Sequence, residues 1–286
     1  MAEQRISSIP QWKKSRVQWL IEIIIALGAI LMILPFFIAL LATFKPETEI
    51  IQFEGVFPRD WTLINYQKIF ENSEEIPVIR WLFNSILISS SITILVVFVT
   101  SMAAYSLSRL RPPGGRAAFT LIVATIMIPG QLFLVPVYLI LNFLHWLDTP
   151  LALIVPAASG AFGVFLLSQF FYSIPKDLED AAEIDGCSIW GVYWHIVLPL
   201  MKPALSTLAI LTFIGSWNDF LGPLVFLDST TQLTLPVGIA LFQTSYFIEY
   251  GITLAASAIA TFPAIVIFLI FQKQIIKSIS LTGLKG

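Results

Sequence analysis

The sequence has 286 residues, of which 57% are hydrophobic and 12% are charged, and its mean hydropathy is +0.85. A soluble domain carries roughly 25% charged residues, so this composition excludes an ordinary soluble protein and predicts an integral membrane protein. The net charge of −2 says little about partners, and the single cysteine, Cys187, excludes an intrachain disulfide. We expect the lipid bilayer, and no nucleic acid, among the partners.

Long uncharged runs divide the chain into six predicted transmembrane helices. Each run approaches the ~20 residues that a helix needs to cross a bilayer, so the predicted fold class is an all-α integral membrane protein. The first run is longer than the apolar part of a secretory signal, and no A-x-A cleavage pattern follows it, so we expect it to be retained. The predicted spans are Leu20–Thr43, Trp81–Leu107, Ala117–Phe143, Leu151–Ser173, Ala204–Leu227 and Gly251–Phe271.

The basic residues fall mainly on one side of these predicted helices. Twelve of the 16 Lys and Arg residues lie before the first span, between spans two and three, between spans four and five, or after the last span. Because cytoplasmic segments are enriched in Lys and Arg, both termini are predicted to be cytoplasmic. The predicted divisions are a cytoplasmic N-terminal segment at 1–19, a first transmembrane helix at 20–43, an external loop at 44–80, and a core at 81–286 with a cytoplasmic loop at 174–203 and a cytoplasmic tail at 272–286.

Two predicted external segments are long enough to form structure of their own. The loop 44–80 mixes three prolines with seven acidic and four basic residues, which predicts a structured or semi-ordered cap. The stretch 228–250 is apolar but short between its helix breakers. It is predicted to be re-entrant or to lie on the membrane surface, because it is too short for a seventh span.

An acidic island interrupts the cytoplasmic loop. Pro175 suits a first helical turn, acidic side chains favour the positive end of a helix, and Gly186 is placed to end the helix with a left-handed cap. Leu178, Ala181, Ala182 and Asp185 follow helical spacing and are predicted to share one face, while Glu179 and Glu183 form an adjacent acidic stripe. Ser188 is predicted to cap a second short helix, and Pro203 to start span five.

Two interpretations of the acidic helix remain open. It could rest on the bilayer surface as an amphipathic connector, or dock into a groove of a soluble protein. Interfacial helices are typically rich in Lys and Arg, whereas residues 176–185 contain one base and five acids. Anionic lipid would repel this segment, so its charge favours docking.

The acidic island and the residues after it also contain a motif with defined spacing. The residues "EDAAEIDG" are followed by nine others and then by "IVLP" at 196–199. This pattern resembles the EAA loop of the permease subunits of binding-protein-dependent ABC importers. Asp180-Ala181-Ala182 match the EAA triplet, and Asp180 replaces its Glu with an arm one methylene shorter. The segments "SWNDFLGPLVFL" (216–227), "TLPVGIALFQ" (234–243) and the terminal "SLTGLKG" are similar to carbohydrate-uptake permeases, in particular to the smaller partner of a maltose-type pair.

The resemblance implies a six-span subunit with the ABC importer permease fold in a bacterial or archaeal cytoplasmic membrane. It implies three kinds of partner: a second related permease, a dimer of cytoplasmic ABC ATPases and an extracytoplasmic solute-binding protein. The chain has no G-x-x-x-x-G-K-[ST] phosphate loop, so ATP and Mg would bind to the partner ATPase, and this chain is predicted to have no cofactor, catalytic residue or metal site. The residues that the resemblance assigns to ATPase coupling are Glu179, Asp180, Ala181, Ala182, Asp185, Gly186, Ile196, Leu198 and Pro199.

Polar residues inside the predicted spans are candidates for a translocation pathway, represented by Ser89, Asn218 and Asp219. Ser and Thr residues also hold membrane helices together, and Asp219 could equally cap or brace span five. Asp219 is the one ionisable residue predicted to lie deep in the membrane. The absence of Lys and Arg from the predicted spans favours a neutral polyhydroxyl solute over an anionic one.

Two other classes of membrane protein fit the sequence less well. An ion-coupled secondary transporter of a small neutral solute would be expected to place several carboxylates or histidines inside its spans, and only Asp219 qualifies. An intramembrane hydrolase would need a nucleophile with a base, or paired aspartates. His145 and His195 both lie in or beside loops, and no second aspartate joins Asp219 within a span. The predicted function is therefore non-catalytic transport.

Overall fold

The computed structural model describes residues 16–71, 76–245 and 249–283. Within these ranges the chain forms α-helices joined by short loops, with no strand. Short π-helical turns extend α4 at Ser106–Leu110 and separate α10 from α11 at Tyr193–Val197. The helices are α1 (Arg16–Ala42), α2 (Glu47–Ile51), α3 (Ile64–Glu71), α4 (Val78–Tyr105), α5 (Gly115–Thr125), α6 (Leu134–Phe143), α7 (Leu151–Ala157), α8 (Ala161–Phe171), α9 (Asp177–Ile184), α10 (Ile189–Val192), α11 (Leu198–Leu200), α12 (Lys202–Trp217), α13 (Leu221–Phe226), α14 (Leu235–Ser245) and α15 (Tyr250–Gly283).

Four helical segments are long and apolar enough to cross a bilayer, and the number rises to six if two bent helix pairs each count as one span. The four correspond to predicted spans one, two, four and six. α1 has the highest mean hydropathy of them, 3.0, and its most apolar stretch buries no residue within the chain. Its side chains therefore need lipid or another protein around them. The four segments are Trp19–Ala42, Val78–Leu110, Leu151–Phe171 and Tyr250–Ile270.

Predicted span three, Ala117–Phe143, is not one straight helix in the structure. The structure has two helical pieces, Gly115–Thr125 and Gly130–Phe143, which are bent by 98°. The break lies at Pro129, whose ring disfavours helical geometry at the residue before it and which has no N–H to donate. The chain therefore turns sharply inside the predicted span.

Predicted span five, Ala204–Leu227, is interrupted in the structure. α12 ends at Trp217, and α13 begins only at Leu221. At its other end, α12 is bent by 75° from the short helices that precede it. Asn218 and Asp219 consequently lie in a break between two helices instead of inside one.

α4 is the central helix of the fold and packs against α7, α8, α12 and α14. Two clusters of buried side chains lie along it. The first surrounds Trp81 and Trp217 at the end of the molecule that carries the loop 44–80, which we call the cap end. The second surrounds Tyr105, Phe171 and Tyr193 at the end that carries the acidic helix, which we call the island end. One helix thus spans the distance between the two ends.

The loop after α1 is an ordered cap, as the sequence predicted, over its described residues. Lys45 and Glu49 form a buried ion pair with the Lys45 Nζ to Glu49 Oε1 distance at 3.2 Å. The Asn65 amide donates to the carbonyl oxygens of Thr43 and Lys45, both at 2.8 Å. These contacts tie α2 and α3 to the end of α1.

Glu47 joins this cap to the start of α15. Its two carboxylate oxygens accept hydrogen bonds from the backbone N–H groups of Tyr250 and Gly251, each at 2.8 Å. The first N–H groups of a helix have no partner within the helix, and a carboxylate there also interacts favourably with the helix dipole. Glu47 therefore caps α15 from a distant part of the chain.

Replacing Glu47 with Ala is expected to lower the free energy of unfolding by about 1–2 kcal/mol, because both N–H groups lose their acceptor. Thermal unfolding in detergent, with hydrogen exchange at the amides of Tyr250 and Gly251, measures the effect. Glu54→Ala is the matched control in the same loop, since the ion pair of Glu54 is with Arg59, whose side chain is 68% exposed. Equal stability of both variants would contradict the capping role.

Candidate functional site: the acidic helix and an intramembrane cavity

The acidic helix of the structure is α9, Asp177–Ile184, which begins two residues after the predicted start. Three carboxylates, from Asp177, Glu179 and Asp180, lie in its first turn, where the helix dipole favours negative charge. Lys176 reaches Asp180 in an exposed pair, with the Nζ to Oδ1 distance at 3.4 Å. The helix therefore forms where the sequence predicts it and keeps its acidic character.

Gly186 ends the helix with the predicted left-handed cap, with a φ of 85°. Its N–H donates to the carbonyl of Glu183 at 3.0 Å, and the N–H of Cys187 donates to the carbonyl of Ala182 at 2.9 Å. This pair of bonds is the Schellman arrangement. A Cβ at Gly186 would meet no atom within 4 Å, so the constraint on this position within the chain is its backbone conformation.

The faces of the acidic helix differ from the predicted ones. Glu179 and Ala182 are buried against the body of the protein, while Leu178, Ala181 and Ile184 are exposed. Ile184 is the most prominent, with 87% of its surface exposed. Ala182 was predicted to share the docking face, but the structure turns it inward. The outward surface is a small apolar patch flanked by exposed carboxylates.

Arg109, at the end of α4, holds the acidic helix in place. Its Nε lies 2.8 Å from Oε1 of Glu179, and the Arg109 and Glu179 side chains are only 11% and 6% exposed. Its guanidinium also donates to the carbonyl oxygens of Phe171 and Ile174, at 2.8 and 2.6 Å. Arg109 therefore joins α4, the end of α8 and the acidic helix in one buried contact.

The electrostatics of Glu179 reflect this burial. Loss of solvent raises the pKa of the Glu179 carboxyl, whereas the Arg109 guanidinium beside it acts in the opposite direction. The ion pair is needed to keep a buried carboxylate charged, so the two residues depend on each other. From the sequence, Arg109 is only one of the predicted cytoplasmic cations, because no spacing pattern links position 109 to position 179.

The second half of the island loop packs against the same cluster. The Ser188 hydroxyl accepts the N–H of Gly191 at 3.2 Å and caps α10, as predicted. The Tyr193 hydroxyl shares a 2.8 Å hydrogen bond with Ser101 of α4. Ile196 and Leu198 are half-buried against this cluster, while Pro199 is exposed. The loop is thus bound to the α4 end of the fold twice, by the contact of Glu179 with Arg109 and by that of Tyr193 with Ser101.

The three predicted pathway residues lie in different surroundings. Asp219 lines a cavity of about 350 Å³ between α4, α7, α8 and α12. Ser89 and Asn218 do not line it: Ser89 is 1% exposed within the helix packing, and the Asn218 amide donates to the Ile214 carbonyl at 2.9 Å. The structure therefore brings only Asp219 to the cavity.

Polar residues near the start of α4 hold another segment in place. The Asn84 amide donates to the carbonyl oxygens of Thr231 and Leu233, at 2.9 and 3.0 Å. The Ser85 hydroxyl accepts the N–H of Leu235 at 2.8 Å and so caps α14. These contacts dock the predicted re-entrant stretch onto α4. Asn84 and Ser85 therefore hold segments of the protein together, which is the alternative to a role in the translocation pathway.

Among the residues that the structure describes, no group of three or more His, Cys, Asp or Glu side chains is arranged to hold a metal ion. The site consists instead of two parts at different depths. The acidic helix presents a surface at the island end, and the cavity lies beside the middle of α4.

Comparison with known proteins assigns the family. Residues 97–281 match the family described as binding-protein-dependent transport system inner membrane component. The arabinooligosaccharides transport system permease protein AraQ of Halalkalibacterium halodurans is 36% identical, over 94% of this chain and 97% of that protein. The sulfoquinovosyl glycerol transport system permease protein SmoH of Agrobacterium fabrum is 35% identical, over 80% of each chain.

A solved structure shares the fold. The crystal structure of a bacterial ABC transporter involved in the import of the acidic polysaccharide alginate contains a chain that matches with a TM-score of 0.79 and 21% sequence identity, over 91% of this chain and 98% of that one. The predicted permease fold is thereby confirmed, and the predicted membership of the ABC importer permeases is confirmed by the relatives. The ion-coupled secondary transporter receives no support. Because the family match covers more than half of the sequence, this chain belongs to the inner membrane components of binding-protein-dependent transport systems, as a multi-pass permease subunit.

Proposed function

We propose that this chain is one of two permease subunits of an ATP-driven importer of neutral carbohydrates. It forms half of the translocation pathway in a bacterial or archaeal cytoplasmic membrane. A solute-binding protein delivers the sugar, and a dimer of ABC ATPases binds ATP and Mg on the cytoplasmic side. The relatives, which are named as permeases for arabinooligosaccharides and sulfoquinovosyl glycerol, support a carbohydrate solute. Sulfoquinovosyl glycerol carries a sulfonate, so the proposal of a neutral solute rests on the absence of Lys and Arg from the predicted spans.

The acidic helix is the proposed contact with the ATPase. The observation that carries this assignment is that one face of the acidic helix is anchored to the protein while the opposite face is exposed. Glu179 and Ala182 anchor it to the body, and Leu178, Ala181 and Ile184 point outward with Asp180 and Asp185 beside them. A helix held this way can pass a partner's movement to α4 through Arg109, and it requires no chemistry in this chain. Ile196 and Leu198 pack against the buried cluster that contains Ala182 of the acidic helix. Their proposed role in coupling is therefore indirect.

The assembly is tested by purifying a tagged chain in mild detergent from its native host and identifying the proteins that accompany it by mass spectrometry. We expect a second permease and an ABC ATPase. In the same host, uptake of labelled arabinose-, xylose- and glucose-based oligosaccharides identifies the solute. Recovery of the chain alone, or no loss of uptake on its deletion, would overturn the importer assignment.

Gly186→Asp is expected to deplete the ATPase from the purified complex about tenfold or more and to abolish stimulation of ATP hydrolysis by the binding protein. The new charge lies at the negative end of the helix dipole, and the side chain projects into open space beside the docking face. Gly186→Asn is the matched control, since Asn has the same size, tolerates a positive φ and is neutral. Normal assembly and transport with Asp at this position would show that the acidic helix is not the contact.

A further inference from the structure

The cavity beside α4 contains hydrogen-bonding groups that the fold does not use. It lies where two helices are interrupted, between α7 and α8 and between α12 and α13. Its volume of about 350 Å³ falls within the ~300–1,000 Å³ range of small-molecule sites. Its polar side chains are those of Thr212, Ser216, Asp219 and Thr234.

Thr234 is the most informative of these residues. It is 5% exposed, and its hydroxyl has no hydrogen-bond partner among the described residues. A buried hydroxyl without a partner is costly and rare in native proteins, and each instance calls for an explanation such as an absent ligand. Because Thr234 lines the cavity, a solute hydroxyl placed there would supply the missing partner.

Asp219 offers an acceptor on the same cavity. Its carboxylate faces the backbone N–H groups of Phe220, Leu221 and Gly222. A Cβ at Gly222 would come within 2.8 Å of Asp219 Oδ2, so this contact is close. A carboxylate has about four acceptor positions. The nearby backbone N–H groups therefore leave acceptor capacity for a donor in the cavity.

The rest of the wall is apolar and uncharged. Ile88, Ile92 and Val96 come from α4, and Phe162 from α8 adds an aromatic ring. Asp219 is the one ionisable side chain among the described residues of the lining, and its charge is already balanced by backbone N–H groups. Such a wall suits the carbon skeleton of a sugar, and the scattered hydroxyls suit its hydroxyl groups.

We propose that this cavity is a subsite for a neutral polyhydroxyl solute, so that this subunit itself binds the transported carbohydrate. The proposal rests on the proposed function and names the place where the solute meets this chain. Thr234 and Asp219 provide hydrogen bonds, and Thr212 and Ser216 provide two further hydroxyls on α12. The volume admits a small sugar or the end of a short oligosaccharide.

Gly215 supplies a way to close the cavity. It lies on the lining of the cavity within α12, and a Cβ there would meet no atom within 4 Å. Gly215→Leu therefore adds a side chain at a position on the lining where its Cβ displaces no neighbour. Thr234→Val removes the unpartnered hydroxyl and keeps the volume. The matched control is Gly28→Leu on exposed α1, where a Cβ also meets nothing within 4 Å.

The experiment uses the full complex in its native host and the panel of labelled oligosaccharides that the unmodified chain takes up. We expect Gly215→Leu to abolish uptake, while the second permease and the ATPase still co-purify with it. We expect Thr234→Val to raise the KM for uptake about fivefold to tenfold, with an unchanged or higher Tm in the absence of sugar. Gly28→Leu should transport normally.

The remaining outcomes overturn the proposal in distinct ways. Unchanged uptake and KM in Gly215→Leu and Thr234→Val would mean that the solute does not enter this cavity. Loss of the second permease from Gly215→Leu, with an unchanged KM for Thr234→Val, would mean that the partner subunit fills it. Absence of uptake by the unmodified chain would overturn the proposed function itself, and this inference with it.

Discussion

Replacing Arg109 with Met is expected to destabilise the island end by about 3–5 kcal/mol and to release the ATPase from the complex. The variant leaves the Glu179 carboxylate buried without its counter-charge. It also removes the donor to the carbonyl oxygens of Phe171 and Ile174 at the end of α8. Thermal unfolding in detergent measures the first effect, and the amount of co-purified ATPase measures the second.

Two further variants isolate the ion pair. The double variant Arg109→Met with Glu179→Gln should recover a large part of the lost stability, because no unpaired charge remains buried. Lys176→Met removes the exposed pair with Asp180, whose side chains are 65% and 50% exposed, and should change stability by less than about 1 kcal/mol. Additive losses in the double variant would contradict a direct coupling between Arg109 and Glu179.

Gly238→Ala is expected to detach α14 from α4 at the cap end. A Cβ at Gly238 would lie 2.3 to 2.6 Å from ring atoms of Trp81, far inside van der Waals contact. Trp81 cannot move away readily, because it is 2% exposed and its Nε1 donates to the Thr230 carbonyl at 2.7 Å. The expected loss exceeds the ~1–3 kcal/mol of ordinary overpacking.

Thermal unfolding and hydrogen exchange across Leu235–Ser245 measure this effect. Gly28→Ala is the control, since its added methyl group meets nothing within 4 Å. Trp81→Leu should partly rescue Gly238→Ala by providing room, although the bond to Thr230 stays lost. A Gly238→Ala protein with normal stability and exchange would show that α14 does not depend on this close approach.

Local signals accounted for the parts of this fold that depend on neighbours in sequence. The hydrophobic runs predicted the four long apolar segments, and the caps at Gly186 and Ser188 followed from residue type and position. Such features are decided by backbone conformation and by bonds within a few residues. They can therefore be derived before any tertiary contact is known.

Features that depend on distant contacts could not be derived in this way. The 98° bend of predicted span three has a local trigger in Pro129, but a proline kink has no predetermined angle. Arg109 and Glu179 pair although they lie 70 positions apart in the sequence. No motif in the chain links the two positions. The cavity was anticipated only through Asp219, because Thr234 became notable once its hydroxyl was found buried and unpartnered.

The central helix also has a mechanical consequence. α4 has 28 residues, which corresponds to a rod of about 42 Å. Arg109 lies just beyond one end of this rod, and Ile88, Ile92 and Val96 of the cavity wall lie near its middle. If the rod tilts as a rigid body by about 5° about its island end, its cap end is displaced by roughly 4 Å. A small push on the acidic helix is thereby converted into a change in the width of the cavity, with the leverage set by the length of a single helix.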